Sequence, residues 1–257
     1  MIDLKERRYI VTGAAGGIGS AIVATLLEGG ASVALFDLDE ARTADVARSL
    51  DPSGNRTLAI GVDVTDPESV SAGVNRAVDH FGGLDGLVNN AGSVVLDEAW
   101  DAAATDWSRQ LEVNVTGSFL CAREVGKHLR GRGGSIVNVA SNCGKVGYKN
   151  MAAYNASKAG VISLTRSLSM EWAADGINVN AVCPGGVDTP MLAGVADWLE
   201  PRLGTPAQEI LDGMGAAQLG RKIAPEEVAR VIAFLLSDDA VIIRGQSINV
   251  DGGDTPY

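Results

Sequence analysis

Histidine is almost absent. There are two in 257 residues, His80 and His128. A zinc site built on histidines is close to excluded, and a Ser-His-Asp triad would have to use one of those two. No metal is expected. Cysteine is equally sparse: Cys121, Cys143 and Cys183 are widely spaced and odd in number, so no disulfide framework is expected. Basic charge is in deficit, with 21 Lys and Arg against 32 Asp and Glu, a net charge of −11. Without a basic patch to displace counterions, nucleic acid is not an expected partner. No apolar run approaches the roughly 18 residues of a membrane span, and the opening stretch from Met1 to Arg8 is charged, with no apolar signal core. The expectation is a reduced, cytoplasmic, soluble protein with no membrane partner.

What is present is ordinary for a globular chain: 46% hydrophobic and 21% charged residues. A chain of this length can bury a core without metal or disulfide. Short apolar runs alternate with helical patterns. Strands are expected at Tyr9–Val11, Ser32–Phe36, Thr57–Val62, Leu84–Val88, Ser135–Val139, Ile177–Val182 and Ser247–Val250. Between them, helices are expected at Ala21–Leu27, Glu40–Leu50, Pro67–His80, roughly Ala102–Leu129, Ala152–Ala173 and from Pro225 to about Leu236. Continuous apolar strands are the mark of a parallel sheet buried on both faces. The fold class expected is therefore α/β: a single-domain Rossmann-type doubly wound sheet of seven mainly parallel strands, helices on both faces, spanning 1–257. The segment from Pro190 to Lys222 breaks the rhythm. It reads either as a lid over a substrate or as a surface helical hairpin used in subunit packing.

The first strand runs into Thr12-Gly13-Ala14-Ala15-Gly16-Gly17-Ile18-Gly19. Glycines in a strand–turn–helix let a pyrophosphate approach the backbone, and the helix N-terminus offers free N–H groups. Asp37 ends the second strand, 24 residues after Gly13. A carboxylate there accepts from ribose hydroxyls and repels a 2′-phosphate, so NAD is the expected cofactor. Tyr154 and Lys158 stand at i and i+4 on a helix, sharing a face one turn apart. A phenol titrates near ~10, and a nearby ammonium is expected to lower that value and make a general base. Ser141 lies at the carboxyl end of the fifth strand, where open α/β sheets bind ligands, 13 residues before Tyr154.

These elements together resemble the classical short-chain dehydrogenase/reductase family over essentially the whole chain. The matching residues are Thr12-Gly13-(x)3-Gly17-Ile18-Gly19, Asp63-Val64, Asn89-Asn90-Ala91-Gly92, Asn114, Ser141, Tyr154-(x)3-Lys158, Pro184-Gly185, Thr189 and Val250-Asp251-Gly252-Gly253. The resemblance implies that Tyr154 is the catalytic acid/base. Lys158 lowers its pKa and binds the nicotinamide ribose, and Ser141 orients the substrate C–O group. Asn114 holds a water that continues a proton path. The resemblance also implies that Asp63 and Val64 contact adenine, that Asn90, Ala91 and Gly92 line the ribose side, and that Val187 and Thr189 hold the carboxamide. Gly13, Gly17, Ile18, Gly19, Asp37 and Tyr154 itself complete the cofactor set. It further implies hydride transfer between a secondary alcohol (or polyol, sugar or cyclic diol) and nicotinamide, in a homotetramer acting on a small-molecule alcohol or ketone.

Two alternatives stay open: a 3-oxoacyl-thioester (acyl carrier protein) reductase, and a non-catalytic NAD-binding regulatory protein. Around the substrate, Cys143 reads either as a pocket residue or as packing. Lys145, Tyr148 and Lys149 read as contacts to an acidic or polyol substrate, or as solvated or subunit-contact side chains.

Overall fold

The computed structural model describes residues 2–215 and 217–256; Met1, Tyr257 and, within the expected lid, Ala216 lie outside it. Seven strands form one sheet among the described residues: β1 (Arg8–Thr12), β2 (Ser32–Asp37), β3 (Thr57–Gly61), β4 (Gly86–Asn89), β5 (Gly134–Val139), β6 (Ile177–Pro184) and β7 (Ser247–Val250). Their order is β3-β2-β1-β4-β5-β6-β7. Every pairing is parallel, so "mainly parallel" understates the sheet. The chain order reverses between β1 and β4, which places the ligand crevice at their carboxyl ends.

The helices are α1 (Gly17–Glu28), α2 (Glu40–Leu50), α3 (Pro67–Phe81), α4 (Ala104–Leu111), α5 (Gly117–Leu129), α6 (Ala152–Glu171), α7 (Pro190–Leu203), α8 (Ala207–Gly213) and α9 (Pro225–Leu236). Two-residue periodicity along the strands explains how they sandwich the sheet. Tyr9, Val11, Val33 and Leu35 face one core with Ile22, Leu26, Val228 and Ile232 of α1 and α9. Ile10, Ala34 and Phe36 face the other with Val70, Val74, Leu120 and Leu168 of α3, α5 and α6. Full burial of side chains of this size stabilises by about 2 kcal/mol each. Local signals set the ends. Asp66 caps α3 by accepting the Glu68 N–H at 3.0 Å ahead of Pro67, and Gly82 closes it in the left-handed region at φ 75°.

Three expectations need correction. First, α1 begins at Gly17, not Ala21, because the glycine turn itself supplies its first residues. Second, β4 is Gly86–Asn89 and not Leu84–Val88; its start follows Asp85, whose carboxylate is tied to the Arg8 backbone and guanidinium. Third, the helical stretch expected over Ala102–Leu129 is interrupted. One π-helical turn, Glu112–Thr116, separates α4 from α5 and carries Asn114. Such a turn inserts a residue and re-aims side chains. Among the described residues, no helix is long and apolar enough to cross a membrane.

Candidate active site

The crevice is built from the loops after β1 and β4. Asn90, just past β4, donates its amide to the carbonyls of Thr12 and Gly13, both at 3.0 Å. The Thr12 hydroxyl accepts the N–H groups of Asn90 and Ala91, both at 3.0 Å. Thr12 was legible as part of the motif, but its role as the clasp between the two loops was not. This clasp brings the backbones so close that side chains are excluded. Gly13 has φ +62°, and a Cβ on Gly19 would stand 2.1 Å from the Gly13 carbonyl oxygen. The N-terminus of α1 begins at the glycine N-cap Gly16, with no side-chain cap and no acidic residue in its first turn. A phosphate fits that charge and that space.

Asp37 at the end of β2 is aimed by the same turn. Its Oδ2 accepts the Ala15 N–H at 3.0 Å and its Oδ1 accepts the Leu38 N–H at 2.8 Å. Each carboxylate oxygen has a second lone pair for a ligand hydroxyl. Asp63 is more occupied: its Oδ1 accepts the Thr65 N–H at 2.9 Å and the Thr65 hydroxyl at 2.7 Å. The Thr65 hydroxyl, then its amide, hold the carboxyl below the usual range. Val64 lies against Gly117 at the head of α5. Val187 is buried and bridges Ile223 in parallel register. Thr189 caps α7 through Leu192 N–H at 3.4 Å and donates to the Val187 carbonyl at 3.2 Å. A Cβ on Gly17 would sit 3.0 Å from Thr189 Cγ2, so the root of α7 rests on the phosphate turn. Gly13, Gly19 and Asn90 thus meet around one crevice, with Thr189 against Gly17 and Asp37 tied to Ala15 of the same turn.

The chemical groups lie beside it. Ser141 is extended, at φ −169°, and opens a tight turn at Asn142–Gly144. Gly144 packs on α6 at Lys158, where a Cβ would come within 2.7 Å of the Lys158 carbonyl carbon. That contact presses the Ser141 turn against the helix bearing Tyr154. Lys158 is buried, its Nζ donates to the Val139 carbonyl at 2.9 Å and lies 5.6 Å from the Tyr154 ring centroid. Burial pulls its pKa down to about 8. A Cβ on Gly92 would lie 3.5 Å from that Nζ and 3.2 Å from Asn114 Oδ1. Its absence leaves a gap lined by an ammonium and an amide oxygen, which fits a ribose.

One expectation about these groups changes. The Tyr154 phenol is pushed up, not down: burial dominates, Cys143 adds to it, and only the Ser141 hydroxyl works in the other sense. Lys158 does not offset this among the chain's own groups. Asn114 has its side chain committed. Its Oδ1 accepts the Ser93 N–H at 2.8 Å, and its Nδ2 donates to the Ser93 carbonyl at 3.0 Å and to Ser157 Oγ at 2.8 Å. Its hold on the loop after β4 was not legible from one-dimensional spacing.

A family model described as enoyl-(acyl carrier protein) reductase matches residues 13–255. The cis-4-hydroxycyclohexanecarboxylate dehydrogenase of Sinomonas cyclohexanicum is 46% identical, with 97% of each chain covered. The chain belongs to the short-chain dehydrogenase/reductase family. Other similar proteins include the NAD-dependent glycerol dehydrogenase of Listeria innocua, 37% identical over 98% of this chain and 95% of that one. An actinorhodin polyketide ketoreductase with NADPH superposes with a TM-score of 0.92 at 35% identity, covering 98% of both chains.

In this dehydrogenase/reductase the segment from Pro190 to Lys222 contains two helices, α7 and α8, followed by a return. That return is fastened: Ile223 N–H donates to the Gly186 carbonyl at 2.9 Å, and Gln218 N–H to the Gly252 carbonyl at 3.1 Å. Lys145 does not serve as a free cation for substrate. Its Nζ donates to the Ser247 carbonyl at 2.7 Å, because the turn after Ser141 lies over β7. Lys149 is exposed.

Cys143 lies beside Ser141 and Lys158: its thiol meets the Ser141 hydroxyl and the field of Lys158. Cys121 and Cys183 are buried, and Cys143 is half-buried. Burial raises the Cys143 thiol, so alkylation is slow at neutral pH and speeds up with alkali. N-ethylmaleimide is expected to inactivate the enzyme through this residue, with Cys143→Ala resistant. Mass mapping of the adduct together with residual turnover checks it, and an inactivating adduct on Cys121 or Cys183 would overturn it.

Proposed function

We propose that this member of the family is an NAD-dependent dehydrogenase of compact secondary alcohols, cyclic alcohols and polyols foremost, working in the oxidative direction. The convergence of the Ser141 hydroxyl, the Tyr154 phenol and the Lys158 ammonium beside the glycine-lined crevice carries this reading. The named activities of the relatives that act on a hydroxycyclohexanecarboxylate and on glycerol support the alcohol class. Bound nicotinamide supplies the hydride acceptor.

The chain's own residues do the rest. The Ser141 hydroxyl grips the alcohol oxygen. The Tyr154 oxygen takes the alcohol proton as the carbon loses hydride, and gives it back in reduction. Lys158, fixed by the Val139 carbonyl, holds the ribose and a positive charge near the phenol ring. Asn114 fixes the loop at Ser93 and, in this reading, anchors the water of a proton path. The segment from Pro190 to Lys222 closes over the substrate as a lid, and the assembly is a homotetramer in the cytoplasm.

A second reading, reduction of a 3-oxoacyl thioester, is favoured by the likeness to the polyketide ketoreductase with NADPH. Asp37 counts against it. So does the charge of α7 and α8, which carry Asp197, Glu200, Glu209 and Asp212 against Arg202 alone and would repel an acidic carrier protein. Binding without turnover is disfavoured by the complete set of Asn114, Ser141, Tyr154 and Lys158. Nicotinamide absorbance with a panel of secondary alcohols and NAD, set against a 3-oxoacyl thioester and NADPH, tests all three.

The pH dependence follows from the signs. A phenol pushed up is protonated at neutral pH, the form that donates in ketone reduction. Alcohol oxidation needs the other form. Oxidation is therefore expected to climb with pH from about 7 to 10, while reduction, which uses the protonated phenol, stays nearly level. Initial rates in both directions across that range check it, and an oxidation rate that declines with pH would contradict it.

A further inference from the structure

The Ser141 hydroxyl is steered by side chains beyond the four-residue set. Its oxygen accepts the Cys143 N–H at 3.1 Å, and its proton goes to Asn142 Oδ1 at 3.3 Å. Asn142 is buried, at 5% exposure, and its Nδ2 donates to the Tyr148 hydroxyl oxygen at 3.0 Å. Tyr148 is in turn anchored at its carbonyl, which accepts Asn155 Nδ2 at 2.9 Å. Asn155 directly follows Tyr154, so the strap begins at one reacting group and ends at the other.

We propose that Tyr148, acting through the Asn142 amide, is a positioning residue that fixes the Ser141 hydroxyl for the substrate oxygen. This rests on the alcohol dehydrogenase reading above. An amide has one accepting and one donating end. With Tyr148 accepting from Nδ2, Oδ1 must face Ser141. The serine proton then has a defined resting partner, and its rotamer is held. At 3.3 Å that O–H···O bond is long, so the proton is readily exchanged for the substrate oxygen without turning the side chain. Removing the Tyr148 hydroxyl lets the amide flip. The NH2 then faces Ser141, which must accept from it and send its proton elsewhere. Tyr148 suits the role because it remains a neutral phenol: burial, Cys143, Asp254 and Asp251 all push its pKa up. The residue is 41% exposed, so Tyr148→Phe costs little packing.

Tyr148→Phe is expected to lower kcat about tenfold with KM within about twofold and an unchanged melting temperature. In a Ser141→Ala background the same change is expected to cost less than about twofold, because the group it acts through is gone. An equal loss in both backgrounds, a rise in KM with kcat unchanged, or no effect would each overturn the proposal. If Ser141→Ala turnover is too low to measure, the split between kcat and KM in the single variant decides. A wild-type protein that oxidises no secondary alcohol refutes the underlying reading. Wild-type turnover with an unimpaired Tyr148→Phe refutes this proposal alone.

Discussion

Tyr154→Phe is expected to lose about 10³- to 10⁴-fold in kcat, at the upper end of what a positioned proton donor or acceptor contributes. This corresponds to about 4 to 5 kcal/mol of transition-state stabilisation. The change removes one oxygen and leaves the ring packed in the first turn of α6, with Lys158 still bonded to the Val139 carbonyl. The crevice around Gly13, Gly19 and Asp37 is untouched, so NAD affinity stays within a few-fold. The diagnostic is the split: chemistry collapses while nicotinamide binding, followed by fluorescence of the reduced form, persists. Loss of both would mean that Tyr154 acts as scaffold. Near-normal turnover would remove it from the mechanism.

The second large effect concerns the nucleotide. Asp37 is held by the Ala15 and Leu38 N–H groups at the end of β2, where NADP would bring a phosphate of nearly two charges. Two unit charges about 4 Å apart at an effective dielectric near 20 repel by about 4 kcal/mol, and solvent reduces this. A preference of at least about a hundredfold in kcat/KM for NAD over NADP is expected. Asp37→Ser combined with Leu38→Arg removes the repulsion and adds a phosphate partner, since Leu38 is exposed and can project a longer side chain. That pair is expected to invert the preference. Steady-state kinetics with both nucleotides measure it, and comparable use of NADP by the wild-type chain would contradict the role given to Asp37.

The sheet was readable because strands such as β1, β2 and β4 are short runs of mostly apolar residues between helical patterns, which needs no tertiary information. Strands β6 and β7 interleave polar residues (Asn178, Asn180, Ser247, Asn249) and were placed by the alternation of elements. The crevice was readable because each of its parts sits at a strand end: Gly13 after β1, Asp37 on β2, Asn90 after β4, Ser141 after β5. What the sequence could not carry are contacts fixed by three-dimensional approach. The π-helical turn at Asn114 looks like uninterrupted helix in one dimension. Lys145 looks like a free cation until β7 brings the Ser247 carbonyl to it. The direction of the Tyr154 shift is set by burial against the Ser141 hydroxyl, and only the packed site decides that. The link from Ser141 through Asn142 to Tyr148 spans side chains whose spacing shows no recognised pattern.

The most direct test of the central claim is an NAD-reduction assay over secondary cyclic alcohols, polyols and hydroxy acids, run side by side on the wild-type chain and Tyr154→Phe. NADH formation by the wild type with at least one secondary alcohol is expected, and virtually none by the variant, with both proteins binding NADH. Failure of the wild type to transfer hydride from any of these alcohols, or equal rates for the two proteins, would contradict that claim.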